Sequence, residues 1–130
     1  MAAAEPADLD YCYVTTTGRR SGNPHTIEIW FALHEGRVYL LSGGGEGSDW
    51  VKNLRVHPTV GVRMGDRDMI CRAFVVQDGE QDQLARRLLL EKYSPRYSSD
   101  LTEWARTAVA VAIELPEPPA AGDGGEDLRA

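Results

Sequence analysis

From Tyr11 onward, apolar side chains recur mainly at every second position, the pattern of strands with one buried face. Tyr11 to Thr17 is aromatic and β-branched, and Gly18 ends it. Pro24 opens a second run, in which Ile27, Ile29, Phe31 and Leu33 alternate with Thr26, Glu28, Trp30 and Ala32. It predicts one strand over 24–33. Glu35-Gly36 is a tight-turn signal, and Arg37 to Ser42 pairs back as a hairpin strand. Thr59 to Met64 places Val60, Val62 and Met64 on one face; Gly65-Asp66 turns the chain, and Met69 to Gln77 returns. Thr107 to Leu115 is the last strand. Its Val109, Val111 and Ile113 alternate with Ala108, Ala110 and Ala112, and the alanine face invites close approach by another element or another subunit.

Helical spacing interrupts this pattern in three places. Ser48 or Asp49 can cap a short helix carrying Trp50, Val51 and Leu54, which Pro58 forbids from continuing. Asp78-Gly79-Glu80 opens a longer helix with the apolar stripe Leu84, Ala85, Leu88 and Leu89, ending near Ser94-Pro95. Asp100-Leu101-Thr102-Glu103 resembles a capping-box opening to a last turn ending at Trp104. About six strands with few helices, and no βαβ alternation, predict a mainly β fold with flanking helices, an antiparallel barrel or α+β sheet. That order of elements excludes Rossmann and TIM architectures.

At 130 residues the chain supports one domain with a core of its own. The working domain spans 11–115; residues 1–10 and the acidic Pro/Gly-rich stretch 116–130 hold little to bury and are expected to be loose. The formal net charge is −6, but residues 11–115 carry 13 acids and 13 bases, so the acidity belongs to the ends. No basic stripe, zinc finger or RNP motif points to nucleic acid. The longest purely apolar run is Ala108 to Ile113, far short of the roughly 20 residues of a bilayer span. Cys12 and Cys71 fall in strand-like segments and read as buried free thiols. With an acidic first stretch, they predict a cytoplasmic protein.

Candidate chemistry concentrates in two loops. No dinucleotide fingerprint, GK[ST], GxSxG or HExxH is present, and His25, His34 and His57 lack metal-ligand spacing. The first loop, Thr15-Thr16-Thr17-Gly18-Arg19-Arg20-Ser21-Gly22-Asn23-Pro24-His25, joins two strands. Arginine forks, hydroxyls and glycine-freed amides are what a phosphate requires, and a solvated polar hairpin is the alternative. The second, Leu41-Ser42-Gly43-Gly44-Gly45, leads into Ser48-Asp49-Trp50-Val51-Lys52-Asn53-Leu54-Arg55. Its glycines let a flat ligand approach the backbone, and Trp50 and Asn53 share a helix face. Together the loops bring Arg19, Arg20, Lys52 and Arg55 as an anion-collecting set.

These residues carry a resemblance. TTTGRRSGNP, then a hairpin, then LLSGGG, then W-x-x-N-L-R-x-x-P is similar to the deazaflavin-dependent nitroreductase family of the flavin-binding split-barrel superfamily. The motifs run in order from about Tyr13 to Met64, and the likeness continues more loosely to Leu115. The resemblance implies a split β-barrel, commonly a homodimer, that binds coenzyme F-420 and transfers hydride to a quinone, nitro compound or other activated small-molecule acceptor. It assigns Arg19, Arg20, Ser21, Gly22 and His25 to the coenzyme's phosphate loop. Ser42, Gly43 and Gly44 would lie beside the deazaflavin ring, and Trp50, Asn53, Leu54 and Arg55 on the helix that closes over it. Ser42, Tyr93 and Tyr97 are the candidate donors to the acceptor. His25 stands where an arginine is usual, Glu28 where many relatives have proline, and Gly43 where lysine is frequent. Two other readings share these loops: an FMN- or FAD-dependent split-barrel oxidoreductase, and a non-catalytic barrel that carries a coenzyme or a lipid-like ligand.

Overall fold

The computed structural model describes residues 6–116. Seven strands form one antiparallel sheet: β1 (Cys12–Thr17), β2 (Pro24–Ile29), β3 (Ala32–His34), β4 (Arg37–Ser42), β5 (Thr59–Met64), β6 (Arg67–Val75) and β7 (Val109–Glu114). Three α-helices accompany them: α1 (Asp49–Val56), α2 (Gly79–Tyr93) and α3 (Thr102–Thr107). This is the mainly β architecture with flanking helices that the periodicity predicts. None of the helices is long and apolar enough to cross a membrane.

The strand order β2-β1-β5-β6-β7-β4-β3 forces the sheet to curl. β2 and β3 are its two edges, yet only Trp30 and Phe31 connect them. That link spans at most about 11 Å, whereas the edges of a flat seven-stranded sheet lie about 29 Å apart. The sheet therefore wraps until its edges meet at one corner, leaving a half-barrel.

At this corner the structure departs from the sequence expectation. The run 24–33 is two strands, not one, because the backbone of Phe31 turns to side chains of α2. The Phe31 N–H donates to the Tyr93 hydroxyl at 3.0 Å, and its carbonyl accepts from the Lys92 ammonium at 2.9 Å. The side-chain alternation nevertheless continues through the break. Phe31 and Leu33 join one apolar cluster, Trp30 and Ala32 the other. The first cluster fills the inside of the curl with Val14, Leu40, Val60, Val62, Val111 and Ile113, and α1 adds Val51 and Leu54. The second lies between the outer face of the sheet and α2 and α3, where Ala110 and Ala112 meet Ala85, Leu89 and Tyr93. The alanine face thus receives a helix of its own chain rather than a second subunit. Small residues there let α2 approach closely, and burial of Leu89 alone contributes about 2 kcal/mol.

The helix boundaries follow their caps. The Asp78 carboxylate accepts from the amides of Glu80 and Gln81, opening α2 where the sequence predicts. α3 runs past Trp104 to Thr107, one turn longer than expected, with the Asp100 carboxylate accepting from the Thr102 amide.

Residues 6–10 are docked rather than loose. Leu9 packs on the first core, and the Lys92 ammonium donates to its carbonyl at 2.7 Å. The Tyr93 hydroxyl donates to the Asp10 carbonyl at 2.8 Å, and Arg96 pairs with the Asp10 carboxylate. Residues 1–5 and 117–130, expected to be loose, lie outside the described residues.

Burial marks this region electrostatically. It pushes the Tyr93 phenol and the Cys12 thiol each up to about 12 and draws the Lys92 ammonium down to about 8. Tyr93→Phe removes a hydroxyl that bridges three backbone groups, and should cost about 1–3 kcal/mol in denaturant unfolding. The Cys12 thiol, normally near 9.0, stays protonated in the folded chain while the unfolded chain ionises. Its contribution to stability is full below pH 9 and is lost between pH 9 and about 12. The wild-type chain should therefore lose more unfolding free energy over that window than Cys12→Ala does.

Candidate functional site

The loop between β1 and β2 is built by its glycines. Thr17 pairs with Pro24, leaving Gly18 to Asn23 to reverse the chain. The Gly18 N–H donates to the Asn23 carbonyl at 2.8 Å, the Gly22 N–H to the Gly18 carbonyl at 2.9 Å, and the Asn23 N–H to Ser21 Oγ at 3.0 Å. Gly22 has a φ of +75°, the left-handed region that favours glycine. At Gly18 a Cβ would stand 2.6 Å from Ser21 Oγ and 2.9 Å from His25 Nε2. Its missing side chain is what lets the hydroxyl and the imidazole close over the turn.

One buried amide fixes this loop to α1. Asn53 is 3% exposed. Its Oδ1 accepts from the Arg19 backbone N–H at 3.1 Å and from Arg19 Nη1 at 2.8 Å. Its Nδ2 donates to Oγ1 of Thr16, also buried, at 3.2 Å. Arg19 Nη2 reaches on to the exposed Asp49 carboxylate at 3.2 Å. Asn53 thus ties together a strand, the loop that follows it and the helix opposite.

Between loop and helix lies a cleft of about 730 Å³. Arg19, Arg20, Ser21, His25 and Thr26 line it from the hairpin, Ser48 from the N-cap of α1, and Asp49 and Trp50 from its first turn; Thr16 and Asn53 are also among its lining residues. The two arginines differ. Arg19 is committed to Asn53 and Asp49, whereas Arg20 is exposed and has no ion pair among the described residues. A guanidinium without a carboxylate, beside hydroxyls, an imidazole and an aromatic ring, is a donor set for an anion carried on a flat organic molecule. Among the described residues no group of three metal-ligating side chains occurs.

The sequence profile of the F-420H(2)-dependent quinone reductase matches residues 5–116. The chain belongs to that family. Solved structures agree on the fold. An F-420-H2 dependent reductase, FDR-A, is 21% identical with a TM-score of 0.66, over 81% of this chain and 94% of that one. A chain described as a domain-swapped dimer is 23% identical with a TM-score of 0.66, over 81% and 80%. A protein assigned as a pyridoxamine 5′-phosphate oxidase from Listeria innocua is 17% identical with a TM-score of 0.61, over 86% and 88%. This quinone reductase family member therefore has the split-barrel fold. No curated protein matches it.

In this family member, the residues expected at the coenzyme separate into groups. Arg19, Arg20, Ser21, His25, Trp50 and Asn53 meet at the cleft, and Gly22 shapes the turn behind them. The second loop does not line the cleft. Ser42 is 2% exposed, and its Oγ donates to the Gly45 carbonyl at 2.9 Å and lies 2.9 Å from Ser48 Oγ. Gly44 leaves room for that hydroxyl pair, since a Cβ there would stand 2.4 Å from Ser48 Oγ; Gly43 faces Trp104 instead. Leu54 is core, and Arg55 pairs with Glu46 at 2.9 Å. Lys52 is exposed on α1.

The expected donors to the acceptor, Ser42, Tyr93 and Tyr97, do not line the cleft. Ser42 holds the bend. The Tyr93 ring is fully buried, and its hydroxyl is taken by backbone groups. Tyr97 lies tilted against Trp30 with centroids 4.7 Å apart, in a cluster with Trp104 outside the cleft. Conversely, Thr16, Ser48 and Asp49 belong to the cleft and were not singled out as site residues. The register of β1 and the first position of α1 are the signals that would have found them.

Asn53→Ala should loosen the loop without unfolding the barrel. The amides of residues 18–23 are expected to exchange with solvent at least about tenfold faster, since a hydrogen bond to a charged group contributes about 1.5–3 kcal/mol.

Proposed function

We propose that the cleft binds coenzyme F-420 and that the chain is a reductase passing hydride to a quinone, nitro compound or similarly activated acceptor. The observation that carries this reading is Arg20: an exposed guanidinium without an ion pair, on a loop fixed beforehand, facing the same cleft as Trp50. Membership of the F-420H(2)-dependent quinone reductase family supports the coenzyme class.

The donor set suits the coenzyme. Arg20, Ser21 and His25 would hold its phosphate, and Gly18 keeps the hydroxyl and imidazole close enough to act together. Trp50 offers an aromatic surface in the cleft. Lys52, exposed on the same helix, would follow the coenzyme's acidic tail. When bound, the reduced deazaflavin supplies the hydride. The protein's part is to bind, orient and exclude water. Among the cleft hydroxyls, Ser48 is positioned by Ser42 and is our choice of donor to the acceptor. We also assign a homodimer. Among the described residues no helix packs on the sheet at Tyr13 of β1 and Ile70 of β6, which are 41% and 72% exposed. A structural neighbour is described as a domain-swapped dimer.

Titration of the purified chain with F-420, FMN and FAD tests the coenzyme, with F-420 expected to bind most tightly. Arg20→Ala should raise the F-420 Kd at least about tenfold while leaving the melting temperature unchanged. The wild-type chain should oxidise reduced F-420 when menadione is present. Unchanged binding in Arg20→Ala would remove the phosphate-loop assignment.

A further inference from the structure

The charges at the cleft do not simply add up to an anion trap. The side chains that line it with a full charge at pH 7, histidine counted neutral, are Arg19, Arg20 and Asp49. The Asp49 carboxylate sits 3.2 Å from Arg19 Nη2 and is 84% exposed, so it is part of the surface an incoming ligand meets. As the first residue of α1 it also offsets the positive pole of that helix. Two sources of positive potential are thereby cancelled by one group. Arg20 remains, a single cation without an ion pair among the described residues.

We infer that Asp49 is a specificity-determining residue: it weakens binding of a doubly charged phosphomonoester more than that of a singly charged phosphodiester, and so shifts the cleft toward the diester. The reason is Coulombic. Repulsion by one carboxylate scales with the ligand's charge, so a dianion loses about twice the free energy that a monoanion loses at the same place. Attraction by Arg20 scales the same way, so Asp49 narrows the advantage that this cation gives a dianion. This inference rests on the coenzyme reading in taking the cleft as the phosphate site. It adds a reason for a deazaflavin, whose phosphate is a diester, over FMN, whose phosphate is a monoester.

Asp49→Asn is the informative substitution. It keeps the size and a hydrogen-bond acceptor, and the residue is exposed, so folding should be preserved; a thermal melt checks this. Arg19 stays held by Asn53 in the variant. The probes are FMN and its cyclic 4′,5′-phosphodiester, which share one ring and differ in phosphate charge, titrated into both proteins at about pH 8, where the monoester is a dianion. The substitution should tighten FMN about fourfold and the cyclic diester about twofold, the scale expected for a solvent-exposed charge. Added salt should shrink both gains. Equal gains on the two flavins, or no gain on either, would overturn the filter whatever F-420 does. F-420 is titrated alongside. Unequal flavin gains without F-420 binding would leave the filter standing and remove the coenzyme assignment instead.

Discussion

The Asn53 carboxamide is the contact on which the site depends. A hairpin loop of six residues with two arginines has no reason of its own to hold one shape, because like charges repel and glycines leave the backbone free. Asn53 supplies the constraint. Its oxygen receives two donors from Arg19 and its nitrogen reaches Thr16, so one side chain sets the loop against both β1 and α1. Burial makes the arrangement strict. At 3% exposure water cannot substitute for a lost partner, and an unmet amide group there would cost more than the bond itself contributes. Trp50, three residues earlier on α1, packs against the core and lines the cleft. Placement of the ring and placement of the cations thus follow from the same short helix.

The curl of the sheet supplies the frame for that helix. Because β2 and β3 must meet through Trp30 and Phe31, the interior closes around Val14, Phe31 and Ile113, and α1 packs Val51 and Leu54 onto that interior. α1 packs against β1 and β6, which presents its first turn to the β1–β2 loop. The far corner is held by a different set. Lys92, Tyr93 and Arg96 gather the backbone of Leu9, Asp10 and Phe31 into one polar knot beneath the aromatic cluster. The cleft and the closure of the barrel therefore lie in separate places, and the tyrosine of α2 belongs to closure.

Much of this was legible in the residue pattern. Period-two alternation marks the strands because one face of each is buried, and Asp78 and Pro58 mark helix limits through caps and a missing N–H. The first loop was legible as a candidate site because arginines, hydroxyls and glycines gather in one hairpin, and Arg19, Arg20, Ser21 and His25 do line the cleft. What escaped was non-local. The division of 24–33 depends on Tyr93 and Lys92, some sixty residues away, taking the Phe31 backbone. The difference between Arg19 and Arg20 is invisible in two adjacent identical letters; only the positions of Asn53 and Asp49 separate them. The glycine bend looked like a ligand surface, yet its openness accommodates the Ser42–Ser48 hydroxyl pair. Alanines on β7 suggested a partner, and α2 is that partner.

The central claim is that a loop set in place by Asn53 and the first turn of α1 form one coenzyme site. Backbone amide chemical-shift mapping of the full chain on addition of F-420 tests it most directly. The account predicts that the largest shifts fall on Gly18 to Ile27 and Ser48 to Asn53. Shifts confined to the aromatic cluster around Tyr97 and Trp104, with both cleft segments unmoved, would contradict it.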